Sequence, residues 1–216
     1  MLRTYRTLYR EGIDEIIIER SKFIGYSKPV DTEEEAIDFI EKIKKKHRDA
    51  THNVPAYVIG YNNGIQRYSD DGEPSGTAGI PVLEVIKKED LRNVVVVVTR
   101  YFGGTKLGAG GLVRAYTRGA KIALDAGKIV IKRPYKLYSI KIEYPLLGKI
   151  QNELIQNNYL LKKIDYDEAV HLYVYIKFDE EKVFLGKIME WTNGNFHAEE
   201  IKENHLIEYD GRAILP

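Results

Sequence analysis

Hydrophobic and polar positions alternate with period two along residues 3–10 and 13–20, two runs separated by Glu11-Gly12. That arrangement predicts a two-residue hairpin, and residues 22–30 read as a third strand. The period then lengthens in "DTEEEAIDFIEKIKKKH". Asp31 or Thr32 stands where a helix cap is wanted, glutamates fill the first turn, lysines fill the last, and Ala36, Ile37, Ile40 and Ile43 form an apolar stripe. Strands at 54–61 and 65–68 flank an "NNG" turn. After the loop "SDDGEPSGTAGIP" come a helix to about Lys88, an apolar strand at 94–101 and a long helix from about Gly110 to Ala126.

Beyond "KRPY" the pattern changes to strand, helix, two strands, helix, strand within residues 135–216, the βαββαβ order of a ferredoxin-like fold. "HLYVYIKF" alternates with period two, whereas Val183, Ile188 and Trp191 recur at helical spacing. The expected class is therefore α+β in two domains, 1–134 and 135–216. Charge divides at the same place. Residues 1–134 hold 23 Lys+Arg against 18 Asp+Glu, net +5, and residues 135–216 hold 10 against 14, net −4, which together give the +1 of the whole chain. An acidic second domain is a candidate docking surface for a basic protein partner.

Composition removes several classes of function. The 216 residues contain no cysteine, so disulfides, thiolate metal sites and a cysteine nucleophile are ruled out. No run approaches the ~20 apolar residues of a membrane helix, and "MLRTYRTLYREG" lacks the apolar centre of a secretory signal. A cytoplasmic protein with no membrane association is expected.

Two loops carry the candidate chemistry. "TRYFGGTKLGAGGLVRAYTRG", residues 99–119, has six glycines. It fails the Walker phosphate-loop pattern, because Ala109 and Gly110 stand where lysine and a hydroxyl are required, and it fails the dinucleotide fingerprint at Val113. No cofactor is implied. Glycines ahead of a helix still allow left-handed backbone and close approach, and the first amides of the helix are unpaired and partly positive, which favours anions. Arg100, Lys106, Arg114, Arg118 and Lys121 fall in this stretch with no acid between residues 100 and 121. Arg114, Arg118 and Lys121 share one helix face at i, i+4 and i+7. A tight structural corner and an anion or nucleic-acid surface that includes Gly110 and Gly111 both remain open.

The second loop is acidic. Asp70, Asp71 and Glu73 could hold a hard cation or, with His52 as general base, serve a small hydrolase or transferase with Ser75 or Thr77 as nucleophile. The calcium-loop pattern is absent, however, and no metal is assigned. An Asp-Gly turn, with Ser75 or Thr77 capping the next helix, explains the same letters structurally.

"RSKFIGY", "THNVPAYVIG", "SDDGEPSGTAGIP" and "VVVVVTRYFGGTKLGAGGLVRAY" together resemble the IMPACT family (UPF0029), in its bacterial YigZ-like branch. The resemblance implies an N-terminal domain like domain 2 of ribosomal protein S5 and a C-terminal domain like the fifth domain of translation factor EF-G. Taken with the basic helix face, that likeness to translation-factor domains points to a noncatalytic protein that binds RNA or the ribosome in translation regulation. The alternatives are the small enzyme built on His52 and the acidic loop, and the protein-interaction regulator.

Overall fold

The computed structural model describes residues 3–209 and 211–215. The chain divides into two compact units, Tyr5–Ile131 and Lys132–Pro216 with Met1–Thr4. No loop separates them. The strand β7, Ile129–Ile142, passes through Arg133 and Pro134, where the sequence suggests a boundary.

In the first unit a five-stranded sheet runs in the order β2-β3-β6-β4-β5 (Gly12–Ile18, Ser21–Pro29, Val94–Tyr101, His52–Ile59, Ile65–Tyr68), every neighbour antiparallel. The central strand explains the uninterrupted valines. Val94, Val96 and Val98 point to one face, where α2 (Gly79–Lys88) and α3 (Gly108–Gly127) pack, while Val95 and Val97 point to the other, where α1 (Glu33–Lys46) packs. A strand buried on both faces has no use for polar alternation.

The α1 helix starts as expected, with Thr32 Oγ1 accepting from the Glu35 amide at 3.2 Å. Its buried stripe is Ala36, Phe39, Ile40 and Ile43. Ile37 is exposed, because Phe39 takes the sheet-facing position instead.

The expected hairpin at Glu11-Gly12 does not form. Strand β1 (Tyr5–Leu8) pairs with β7, and the tight turn lies at Glu19-Arg20, between β2 and β3. Both turn residues have positive φ, 44° and 65°, although neither is a residue type that favours it. Gly12 is required for another reason. A Cβ there would lie 2.4 Å from the Ala123 carbonyl oxygen and 2.3 Å from the Gly127 nitrogen, so it lets α3 rest on β2.

The second unit follows the βαββαβ order. Strands β10 (His197–Tyr209), β7, β9 (Val170–Lys177) and β8 (Leu160–Tyr166) lie side by side in that order, and β11 (Arg212–Ile214) extends the edge beside β10. Helices α4 (Leu147–Gln156) and α5 (Glu181–Thr192) cover one face, burying Ile150, Leu154, Phe184 and Ile188 against Ile140, Leu172 and Val174. Trp191 packs edge-on against Tyr159, with ring centroids 6.3 Å apart, as part of this core. Val183, expected on the same stripe, is exposed. Among the described residues no helix is long and apolar enough to cross a membrane.

Candidate functional site

The pairing of β4 with β6 sets His52 opposite Arg100 and brings the acidic loop against the glycine-rich one. Arg100 is buried, 5% exposed, and its Nη1 donates to Glu73 Oε1 at 2.7 Å. The Tyr116 hydroxyl donates to the same oxygen, also at 2.7 Å. Burial first, and then the Glu73 carboxylate beside it, push the Tyr116 phenol far above its ordinary range. Arg100 therefore belongs to an internal ion pair, with its guanidinium between the rings of Phe23 and Phe102. It is not a surface anion contact, which corrects the sequence expectation. Its Nε has no hydrogen-bond partner among the described residues.

The candidate catalytic residues separate in the same way. Asp70 accepts backbone N–H bonds from Gly76 (2.8 Å), Ala78 (3.1 Å) and Gly79 (2.8 Å). It caps α2 from a distance, the role expected of Ser75 or Thr77. The Thr77 hydroxyl instead donates to the Pro74 carbonyl at 2.6 Å. Asp71 Oδ2 accepts from the Asn53 amide at 2.6 Å. Both aspartates thus hold the loop's shape. His52 bridges to two of the candidates: its Nδ1 lies 2.7 Å from the Asp71 carbonyl oxygen, and its Nε2 faces Glu73 Oε2 at 3.7 Å. No three His, Asp or Glu side chains converge as a metal set among the described residues.

Asp70 has a consequence for acid stability. Burial tends to raise its carboxyl pKa, but the three backbone amides outweigh that and lower it. A carboxylate with a depressed pKa stabilises the fold above its unfolded value of about 3.9 and loses that contribution as pH falls through the native value. Asp70→Asn should therefore cost about 1–2 kcal/mol at neutral pH, the scale of a lost helix cap. The gap from the parent should narrow below about pH 4, which urea titrations across pH will show.

Two cavities open beside this frame. One, of about 350 Å³, has Pro74, Phe102 and Leu112 as apolar walls and His52, Glu73 and Arg100 within it. The other, of about 460 Å³, is lined by Lys106, Gly111, Arg114, Arg118 and Glu19. Lys106 and Leu107 line both cavities, so they adjoin. The helix that opens here has no side-chain cap and no acid in its first turn, leaving its leading amides to other partners. Lys106, Arg114 and Arg118 are exposed, and no ion pair engages them among the described residues.

Lys121, by contrast, is bound at 2.9 Å to both Glu89 and Asp125. The hydrogen bond to Glu89, then that to Asp125, raises its pKa. Glu89, on α2's end, is remote in sequence, so the run without acids did not expose it. The cationic strip therefore contains three of the five predicted cations. In the second unit, Glu181 and Glu200 are paired with Lys136 at 3.0 and 2.9 Å, which internally compensates part of the acid excess.

A two-domain α+β protein, with one unit carrying a basic cleft over a buried Glu–Arg pair, is the class these features define. The Impact N-terminal domain family matches residues 19–124, and a domain of unknown function, DUF1949, matches residues 140–195. The IMPACT family member YvyE of Bacillus subtilis is 48% identical over 206 residues, covering 95% of this chain and 94% of its own. YigZ of Escherichia coli is 35% identical over 188 residues, covering 86% and 92%. The yeast Protein IMPACT homolog is 34% identical over 98 residues, covering 44% of this chain and 38% of its own. A solved structure titled as a hypothetical protein superposes with a TM-score of 0.60 at 31% identity, covering 94% of this chain and 99% of that one. The chain belongs to the IMPACT family.

Proposed function

We propose that this chain is a noncatalytic RNA- or ribosome-binding protein of translation regulation, working in the cytoplasm, that holds phosphates in the cleft formed by Lys106, Arg114 and Arg118. The observation that carries this reading is the cleft itself. Three cations, with no ion pair to them among the described residues, line one cavity of about 460 Å³ at an uncapped helix start, where they outnumber its one acid, Glu19. Exposed amides and free cations at a helix N-terminus suit phosphate oxygens. The same reading takes the first unit as S5 domain 2-like and the second, with its βαββαβ order, as ferredoxin-like and similar to the fifth domain of EF-G. The enzyme alternative loses Asp70 and Asp71, which are engaged by backbone amides.

Phosphate contacts release counterions, and each adds roughly 0.7–0.9 to the slope of log affinity against log salt. Arg114→Gln with Arg118→Gln should weaken all RNA sequences alike and flatten the slope by roughly 1.4–1.8. Stability should stay within about 0.5 kcal/mol, since both side chains are solvent-facing. Anisotropy titrations with labelled RNA at several salt concentrations make the test. An unchanged slope in a folded double variant would leave the arginines as solvated surface and end this reading.

A further inference from the structure

We infer that the cavity beneath Phe102 receives one unstacked base of a single RNA strand whose phosphates lie along the adjoining cationic cleft, and that it prefers bases carrying an exocyclic amino group. The inference rests on the RNA-binding reading and assigns a second, chemically different site to it.

The first argument is size and wall chemistry. A cavity of about 350 Å³ lies at the low end of the roughly 300–1,000 Å³ usual for small-ligand sites, which suits one nucleoside-sized group. Pro74, Phe102, Leu107 and Leu112 give it apolar walls, and Phe102 is a mounted platform. The residue is 47% exposed, its backbone amide donates to Thr51 Oγ1 at 3.0 Å, and the Arg100 guanidinium lies 5.4 Å from the ring centroid. An exposed aromatic ring fixed in this way beside a cationic strip is the pairing that single-strand binders use, with bases on the ring and phosphates on the charges. Lys106 and Leu107, shared by both cavities, make the path continuous.

The second argument concerns hydrogen bonding. His52 Nδ1 lies 2.7 Å from the Asp71 carbonyl oxygen, so that nitrogen carries the hydrogen and, in the neutral ring, Nε2 is an acceptor. Glu73 Oε1 is occupied by Arg100 and Tyr116, and Oε2 is the oxygen that faces His52 Nε2 at 3.7 Å. With the ring neutral, two acceptors stand side by side in the cavity. An amino group has two N–H donors and can satisfy both; a uracil carbonyl cannot. Cytosine, adenine and guanine each carry such a group, and uracil does not.

Base and backbone contributions separate with four ligands and three proteins. Oligocytidine, oligoadenosine, oligouridine and an abasic strand of the same length are titrated against the parent, Phe102→Ala and Ala109→Trp, whose indole would fill the cavity mouth. The parent should bind oligocytidine and oligoadenosine about tenfold more tightly than the abasic strand, the scale of one base on an aromatic platform, with oligouridine in between. Phe102→Ala and Ala109→Trp should both fall to the abasic level with the salt slope unchanged. Equal affinity for oligocytidine and the abasic strand, or no loss in either variant, overturns the base site and leaves the phosphate cleft standing. No binding of any strand at 50 mM salt overturns both.

Discussion

Glu73→Ala is expected to destabilise the fold by about 3–5 kcal/mol, because removing one member of a buried ion pair leaves the other as an uncompensated interior charge. Arg100 is 5% exposed and its Nη1 has Glu73 Oε1 as its charged partner at 2.7 Å. Its second contact is a 3.4 Å bond to the Ser21 hydroxyl, which carries no charge. The alanine would also strip the fully buried Tyr116 hydroxyl of its acceptor. Against a total stability of about 5–15 kcal/mol, this is a large fraction. Urea unfolding followed by far-ultraviolet circular dichroism measures it. The double variant Glu73→Gln with Arg100→Met should recover most of the loss, since the glutamine still accepts from Tyr116 and no charge remains buried. A Glu73→Ala protein as stable as the parent would mean that the pair is solvated rather than internal.

The buried status of Arg100 was legible in the sequence, although its charge drew it into the cationic group. It continues the alternation of Val94, Val96 and Val98, so strand period alone places it on the inward face with the α2 and α3 core. An inward arginine demands an inward carboxylate. Which carboxylate was not legible, because Glu73 reaches it through a loop of irregular backbone, with Asp71 at φ 49° and Gly72 at φ 88°. Lys121 failed differently. Its i+4 partner Asp125 was visible, but Glu89 lies 32 residues away on another helix. The Glu19-Arg20 turn was hidden because its left-handed conformations are imposed by the pairing of β2 with β3 rather than favoured by the residues. In the second unit, by contrast, the strands and helices of the βαββαβ order follow local periodicity and could be read directly, although β11 and the exposure of Val183 could not.

Two glycines of the long loop are opposite cases, and alanine at each should move stability in opposite directions. A Cβ on Gly103 would lie 2.0 Å from the Arg20 carbonyl carbon and oxygen and 2.5 Å from the Ser21 nitrogen. These are backbone atoms of the hairpin that starts β3, so no rotamer change relieves the clash. Gly103→Ala should cost about 3 kcal/mol, the upper end of ordinary overpacking. It would also break the 3.2 Å bond from the Gly103 amide to the Ser21 hydroxyl and shift Phe102. Gly110 is the opposite case. It lies in the first turns of α3, is exposed, and a Cβ would meet Arg114 Nη1 at an ordinary 3.8 Å. Gly110→Ala should therefore stabilise the helix by about 0.5–1 kcal/mol. If the bare backbone at Gly110 lets a phosphate reach the helix amides, the same variant should bind RNA more weakly while melting at a higher temperature. Stability and affinity that rise together would assign Gly110 no part in the cleft. A Gly103→Ala protein within about 0.5 kcal/mol of the parent, the range of a neutral surface change, would refute the close approach of the two loops.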